Sequence, residues 1–232
     1  QWLAIFSVSA VAYLIFPPLL AWTLGRLRID RRRPSPRTLL LLRVFGYRAR
    51  TEKLFDRIAA RWRLLGPVTM IAAPDVIART VDPEDFLRYL TGQLSSAFVQ
   101  SRDDLDARLA GFDRRPDPDG RYRINEFCCR DDTWQATVVE LMRRADAVVM
   151  DVRGVTGKRR GCEFELQQLA ARLLPEQIVL VVDGTTDRGM IEGAMLGQGA
   201  ARLPKMTEVA RNATNETNQV FANLINAAYG DR

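Results

Sequence analysis

The apolar positions of this chain come in three rhythms. The first is a run without interruption: "WLAIFSVSAVAYLIFPPLLAWTLG", residues 2–25, contains no charged residue. The second is a set of short, nearly continuous apolar runs: "LLLLRVFG" (39–46), "PVTMIAA" (67–73), "DAVVMDV" (146–152), "EQIVLVVDG" (176–184) and a weaker "PKMTEVAR" (204–211). Runs of this length, apolar on both faces, predict strands buried inside a parallel sheet. The third has helical spacing. In "TEKLFDRIAARWRLLG" (51–66), Leu54, Phe55, Ile58, Trp62 and Leu65 form one stripe, with Thr51 placed as N-cap and Gly66 as C-cap. "DDTWQATVVELMRRA" (131–145) turns Trp134, Val138, Leu141 and Met142 inward, 161–173 is a further helix, and "NETNQVFANLINAAYG" (215–230) is the last.

Alternating strands and helices predict an α/β fold: a flavodoxin-like, doubly wound, mainly parallel sheet of five strands with helices on both faces. Two stretches break the alternation. Residues 74–130 read as a helical insertion beside the sheet, with a helix after Asp82-Pro83 and "RYRINEFCC" (121–129) as an edge strand. Residues 185–203, Gly-rich and without clear periodicity, predict a mobile loop.

The uncharged run changes the picture of where this domain works. At about 1.5 Å per residue it matches a hydrocarbon core of about 30 Å. Trp2 and Trp22 stand near its ends, and Pro17 and Pro18 predict a kink. Residues 26–37 carry six arginines against one aspartate, a net of +5 out of +6 for the whole chain. The expectation is a transmembrane helix over 1–25, a basic linker over 26–38, and an α/β domain over 39–232 on the cytoplasmic side. The rest of the chain sums to only +1 (6 − 5), which argues against nucleic acid as a partner. Membrane lipids are expected partners. Carbonyls freed by Pro17-Pro18 need other helices, which predicts a homo-oligomer or a complex with another membrane protein. The first residue is Gln, so upstream sequence is expected.

With no histidine and three cysteines outside any CxxC spacing, Ser-His and Cys-His pairs and a His- or CxxC-type metal site are not expected. The distinctive chemistry lies in "DAVVMDVRGVTGKRRGCEFELQQLAARL" (146–173). On a helix beginning near Gly161, Cys162, Leu166, Leu169 and Leu173 share a stripe, and Glu165 falls on it while Glu163 points out. An inward carboxylate just after a strand sits at the carboxyl edge of the sheet, where open α/β sheets bind ligands. The helix N-terminus would help keep it ionised. The bland alternative pairs Glu165 with Arg43, Arg153 or Arg160.

"DDTWQATVVELMRRADAVVMDVRGVTGKRRGCEFELQQL" resembles the central part of a TIR (Toll/interleukin-1 receptor) domain. Cys162 and Glu165 reproduce that family's Cys-x-x-Glu spacing, and Trp134 matches the tryptophan before the preceding helix. Asp151, Gly154 and the Glu165-Leu166 pair are similar to the related nucleoside deoxyribosyltransferase-like family. The resemblance implies an N-glycosidic bond as target and Glu165 as the catalytic residue. NAD or a related nucleotide would be substrate or ligand, with no cofactor required, in a signalling or defence role. It further implies a binding set of Arg43, Phe45, Gly46, Trp134, Asp151, Gly154 and Cys162, with basic or aromatic side chains near 43–50 on the phosphates. Gly161 stands where the family has tryptophan, and the strand ends in "MDVRG" without its serine. Those departures keep open a second expectation, a non-catalytic TIR-like scaffold or nucleotide sensor.

Overall fold

The computed structural model describes residues 2–26, 35–43, 48–72, 98–155, 160–199, 202–209 and 213–230, and within the first helix the side chains of 11–23. The chain divides into two units, 1–36 and 37–232.

The first unit contains one helix, α1 (Trp2–Arg26), with Pro17 and Pro18 inside it. Its described apolar side chains, among them Tyr13, Phe16 and Trp22, are exposed. Among the described residues, no helix is long and apolar enough to cross a membrane.

The second unit is an α/β domain built, among the described residues, on one parallel sheet of seven strands: β1 (Leu39–Arg43), β2 (Val68–Ala72), β3 (Phe98–Val99), β4 (Ile124–Cys129), β5 (Ala147–Asp151), β6 (Ile178–Val182) and β7 (Lys205–Glu208). Their order is β3-β4-β2-β1-β5-β6-β7. Five neighbours, β2-β1-β5-β6-β7, follow the 2-1-3-4-5 order of doubly wound sheets, which is consistent with a flavodoxin-like core. The five expected strands are therefore present, and the sheet exceeds the expectation by two. Both additions come from the 74–130 stretch. The segment read as an edge strand supplies β4, which pairs with β2 on one side and β3 on the other. Only the two-residue β3 is at that edge. The expected insertion beside the sheet is thus partly an extension of it, and the helix expected after Asp82-Pro83 lies outside the described residues.

Helices α2 (Arg48–Trp62) and α7 (Ala213–Tyr229) cover one face; α3 (Arg102–Ala110), α4 (Trp134–Arg144), α5 (Arg160–Arg172) and α6 (Arg188–Leu196) cover the other. The strands serve both layers by alternation. Leu40, Leu42, Val148 and Met150 pack toward α4 and α5, whereas Leu39, Leu41, Ala147 and Val149 pack toward α2 and α7. Each fully buried leucine of β1 is worth roughly 1.5–3 kcal/mol.

The expected loop at 185–203 contains a helix. Asp187 accepts from Met190 N at 3.0 Å as the N-cap of α6, and Ile191, Ala194 and Met195 are buried against the α5 layer. Nine residues with two glycines give too short a stripe for periodicity to reveal; the cap was the available signal. Thr51 is not a cap either, because α2 starts at Arg48 and places it one turn inside. Gly66 closes the chain after α2 by close approach. Its N–H reaches Trp62 O at 3.0 Å, and a Cβ there would stand 2.1 Å from Arg37 O.

Candidate functional site

β1 and β5 lie side by side, and the chain leaves them in opposite directions along the sheet. Their carboxyl ends, Arg43 and Asp151, are paired in register. This is the crevice where ligands of open α/β sheets bind. The turn leaving β5 runs Val152–Val155, closed by Val155 N donating to Val152 O at 3.2 Å. Gly154 has φ +68°, a left-handed conformation that glycine adopts at no steric cost, so the turn needs it.

Glu165 stands on α5, on the face of the sheet that α4 and α5 cover. Helical spacing put it inward with Cys162, Leu166 and Leu169, and the structure places it there, 6% exposed, while Glu163 is exposed. Burial alone pushes its carboxyl up to about 8, with no hydrogen bond or charge opposing the shift. Burial thus favours the protonated form of Glu165 in the ligand-free protein. The helix terminus adds little against this burial, because Glu165 is in the second turn of α5 and the terminal field falls off within the first. Nor does it pair with Arg153, whose guanidinium is engaged elsewhere. Trp134 and Cys162 are on the same side. The Trp134 ring meets Phe164 edge-on at 5.3 Å between centroids and lies 3.8 Å from where a Cβ at Gly161 would be.

On the α2/α7 side is a buried polar cluster. Arg153 Nε donates to Asp151 Oδ1 at 2.8 Å and its Nη2 to Oδ2 at 2.6 Å, a fork on one carboxylate. Arg153 Nη1 donates to Glu216 Oε1, on the first turn of α7. Thr51 Oγ1 donates to Asp151 Oδ2 at 2.7 Å. All four residues are at most 6% exposed. Burial works against the charge on Arg153, and the bonds and charge of Asp151, with Glu216 and Asp183 beyond, outweigh it and hold the guanidinium above its ordinary range. Arg43 belongs to this side too, its Nη1 4.0 Å from Glu52 Oε1.

The sequence-derived set thus divides across the sheet. Trp134, Cys162 and Glu165 gather on one face, Arg43 and Asp151 on the other, and Gly154 forms the turn between them. Phe45 and Gly46 lie outside the described residues. Thr51 and Glu216 were not foreseen as site residues, and Arg153 only as a partner of Glu165. The available signal was the Asp-x-Arg spacing at the end of β5, which puts both side chains on one side of an extended chain. Among the described residues, no group of three or more His, Cys, Asp or Glu is placed to hold a metal ion.

The chain matches no protein-family model and no curated protein.

Proposed function

We propose that this chain is a membrane-anchored, TIR-like domain that takes NAD or a related nucleotide at the carboxyl edge between β1 and β5 and cleaves its N-glycosidic bond through Glu165. One observation carries the reading: a carboxyl 6% exposed, with no bond or charge to compensate its burial, in the second turn of the helix that follows β5. Such a group costs the fold stability, and strongly perturbed carboxyls concentrate at functional sites.

The chemistry follows from the charge of the substrate. In the empty site Glu165 carries a proton. A cationic nicotinamide–ribose group against it favours the carboxylate, and the proton passes to solvent. The carboxylate then stabilises positive charge on the anomeric carbon as the carbon–nitrogen bond breaks. Nicotinamide leaves with the bonding electron pair, and water adds to the ribosyl carbon and loses a proton. Trp134 and Cys162 shape the wall around Glu165, while Asp151 holds the opposite wall.

The anchor rests on the uncharged run 2–25 and the six arginines that follow. By the positive-inside rule residues 38–232 then face the cytoplasm, in contact with lipid headgroups. Helices of a second copy or of another membrane protein would cover the carbonyls freed by Pro17 and Pro18.

A second reading, a nucleotide sensor or scaffold that does not cut, is favoured by the Asp151–Arg153–Glu216 cluster, which closes one side of the crevice with the protein's own charges. The test is incubation of the full chain in detergent with NAD, with free nicotinamide measured. Wild type and Glu163→Gln should release it and Glu165→Gln should not. Saturable NAD binding without nicotinamide selects the sensor, and absence of both release and binding overturns the two readings together.

A further inference from the structure

The Glu216 carboxylate sits where a ligand's anion would be expected. The crevice between β1 and β5 has an arginine at the end of each strand or just past it, Arg43 and Arg153, both on the α2/α7 face. Asp151 grips Arg153 by two nitrogens, and Thr51 fixes Asp151 in turn. The remaining terminal nitrogen goes to Glu216. Glu216 stands on the first turn of α7. Helix α2, the next described element after β1, has no acidic residue in its first turn. Its leading N–H groups favour anions. The cluster itself holds more carboxylate than it needs: Asp151 alone satisfies the Arg153 fork, and Asp183 also acts on that charge.

We propose that Glu216 is an internal anion held against Arg153 in the ligand-free protein, and that the diphosphate of a nucleotide, or free pyrophosphate, displaces it. Asp151 keeps the Nε–Nη2 fork, and the Nη1 that Glu216 now receives suits a phosphate oxygen as well as a carboxylate oxygen. Displacement breaks the contact between the turn after β5 and the first turn of α7, so occupancy of the crevice is read out as motion at the start of that helix. The proposal rests on the reading that the crevice takes a nucleotide, but not on cleavage by Glu165.

The test is calorimetric titration of pyrophosphate and of ADP into the full chain in detergent. Glu216→Gln should bind both at least tenfold tighter than wild type, Arg153→Lys at least tenfold weaker, and Glu163→Gln like wild type. ADP binding tighter than pyrophosphate identifies a nucleotide as the source of the anion; equal binding identifies the free anion. Equal affinity in wild type and Glu216→Gln, or no binding in either, overturns the proposal. Should Glu216→Gln not fold, hydrogen exchange in the wild type decides. Pyrophosphate should speed exchange over residues 213–220, and unchanged or slower exchange overturns it. NAD cleavage that persists while these tests fail would sink the displacement and leave the function standing.

Discussion

Replacing Glu165 by Gln should stabilise this protein at neutral pH, by an amount that vanishes in acid. The folded carboxyl titrates at about 8, against an ordinary value of 4.5. Between those values the folded chain keeps the proton and the unfolded chain has lost it. The folded state binds more protons, so stability falls as pH rises through the window. From about pH 5.5 to about pH 7.5 the loss is about 2–3 kcal/mol, at 1.36 kcal/mol for each pKa unit. In a domain of this size that is about 5–10 °C in Tm. The amide of Gln has the size of the protonated carboxyl and does not titrate, so Glu165→Gln lacks the slope. The assay is urea denaturation of wild type and variant in the same detergent, followed by tryptophan fluorescence across this pH range. Asp56, which burial and the charge of Glu52 also raise, acts equally in both proteins and cancels in the difference. The two stabilities should coincide near pH 4.5 and diverge above it. Parallel curves would refute the reasoning, and a variant less stable than wild type at pH 7.5 would mean that Glu165 is ionised and paired.

Arg153→Gln leaves Asp151 and Glu216 buried without their cation, and should cost about 3–5 kcal/mol in urea denaturation. A loss below about 1 kcal/mol would show that the cluster is solvated. Gly66→Ala forces the Arg37 peptide away. That peptide accepts the Trp62 indole N–H at 2.9 Å and leads into β1, so the expected cost is about 1–3 kcal/mol by the same assay, and an unchanged midpoint would contradict the close approach.

What could be read from the sequence followed from how local the cause was. The apolar runs of β1, β2, β5 and β6 are buried on both faces, so composition alone announced them. Glu165 could be oriented because helical spacing ties it to Cys162, Leu166 and Leu169 within one helix. The cluster around Arg153 could not be read, because Thr51, Asp151 and Glu216 come from three elements brought together only by the crossing of the chain. Thr51 was misread for the same reason: a threonine near a helix start looks like a cap until the strand beside it is known. β4 was misjudged because its exposed positions, Ile124 and Glu126 among them, resemble an edge, while its pairing partner β3 is only two residues long.

An all-parallel sheet also dictates an order of events during synthesis. β1 is made before the other described strands of this sheet, and its neighbour β5 begins 108 residues later, since Leu39 pairs with Ala147. At the usual pace of about 5–20 residues per second, the ribosome needs about 5–20 s to deliver that partner. Through that interval Leu39–Leu42 can pair only with β2, and one long apolar edge stays open. The nascent domain cannot close its centre until most of it has emerged. Its early vulnerability to aggregation, and its demand for chaperones, should therefore centre on β1, and an arrested chain ending before residue 147 should be far more protease-sensitive than one ending after residue 182.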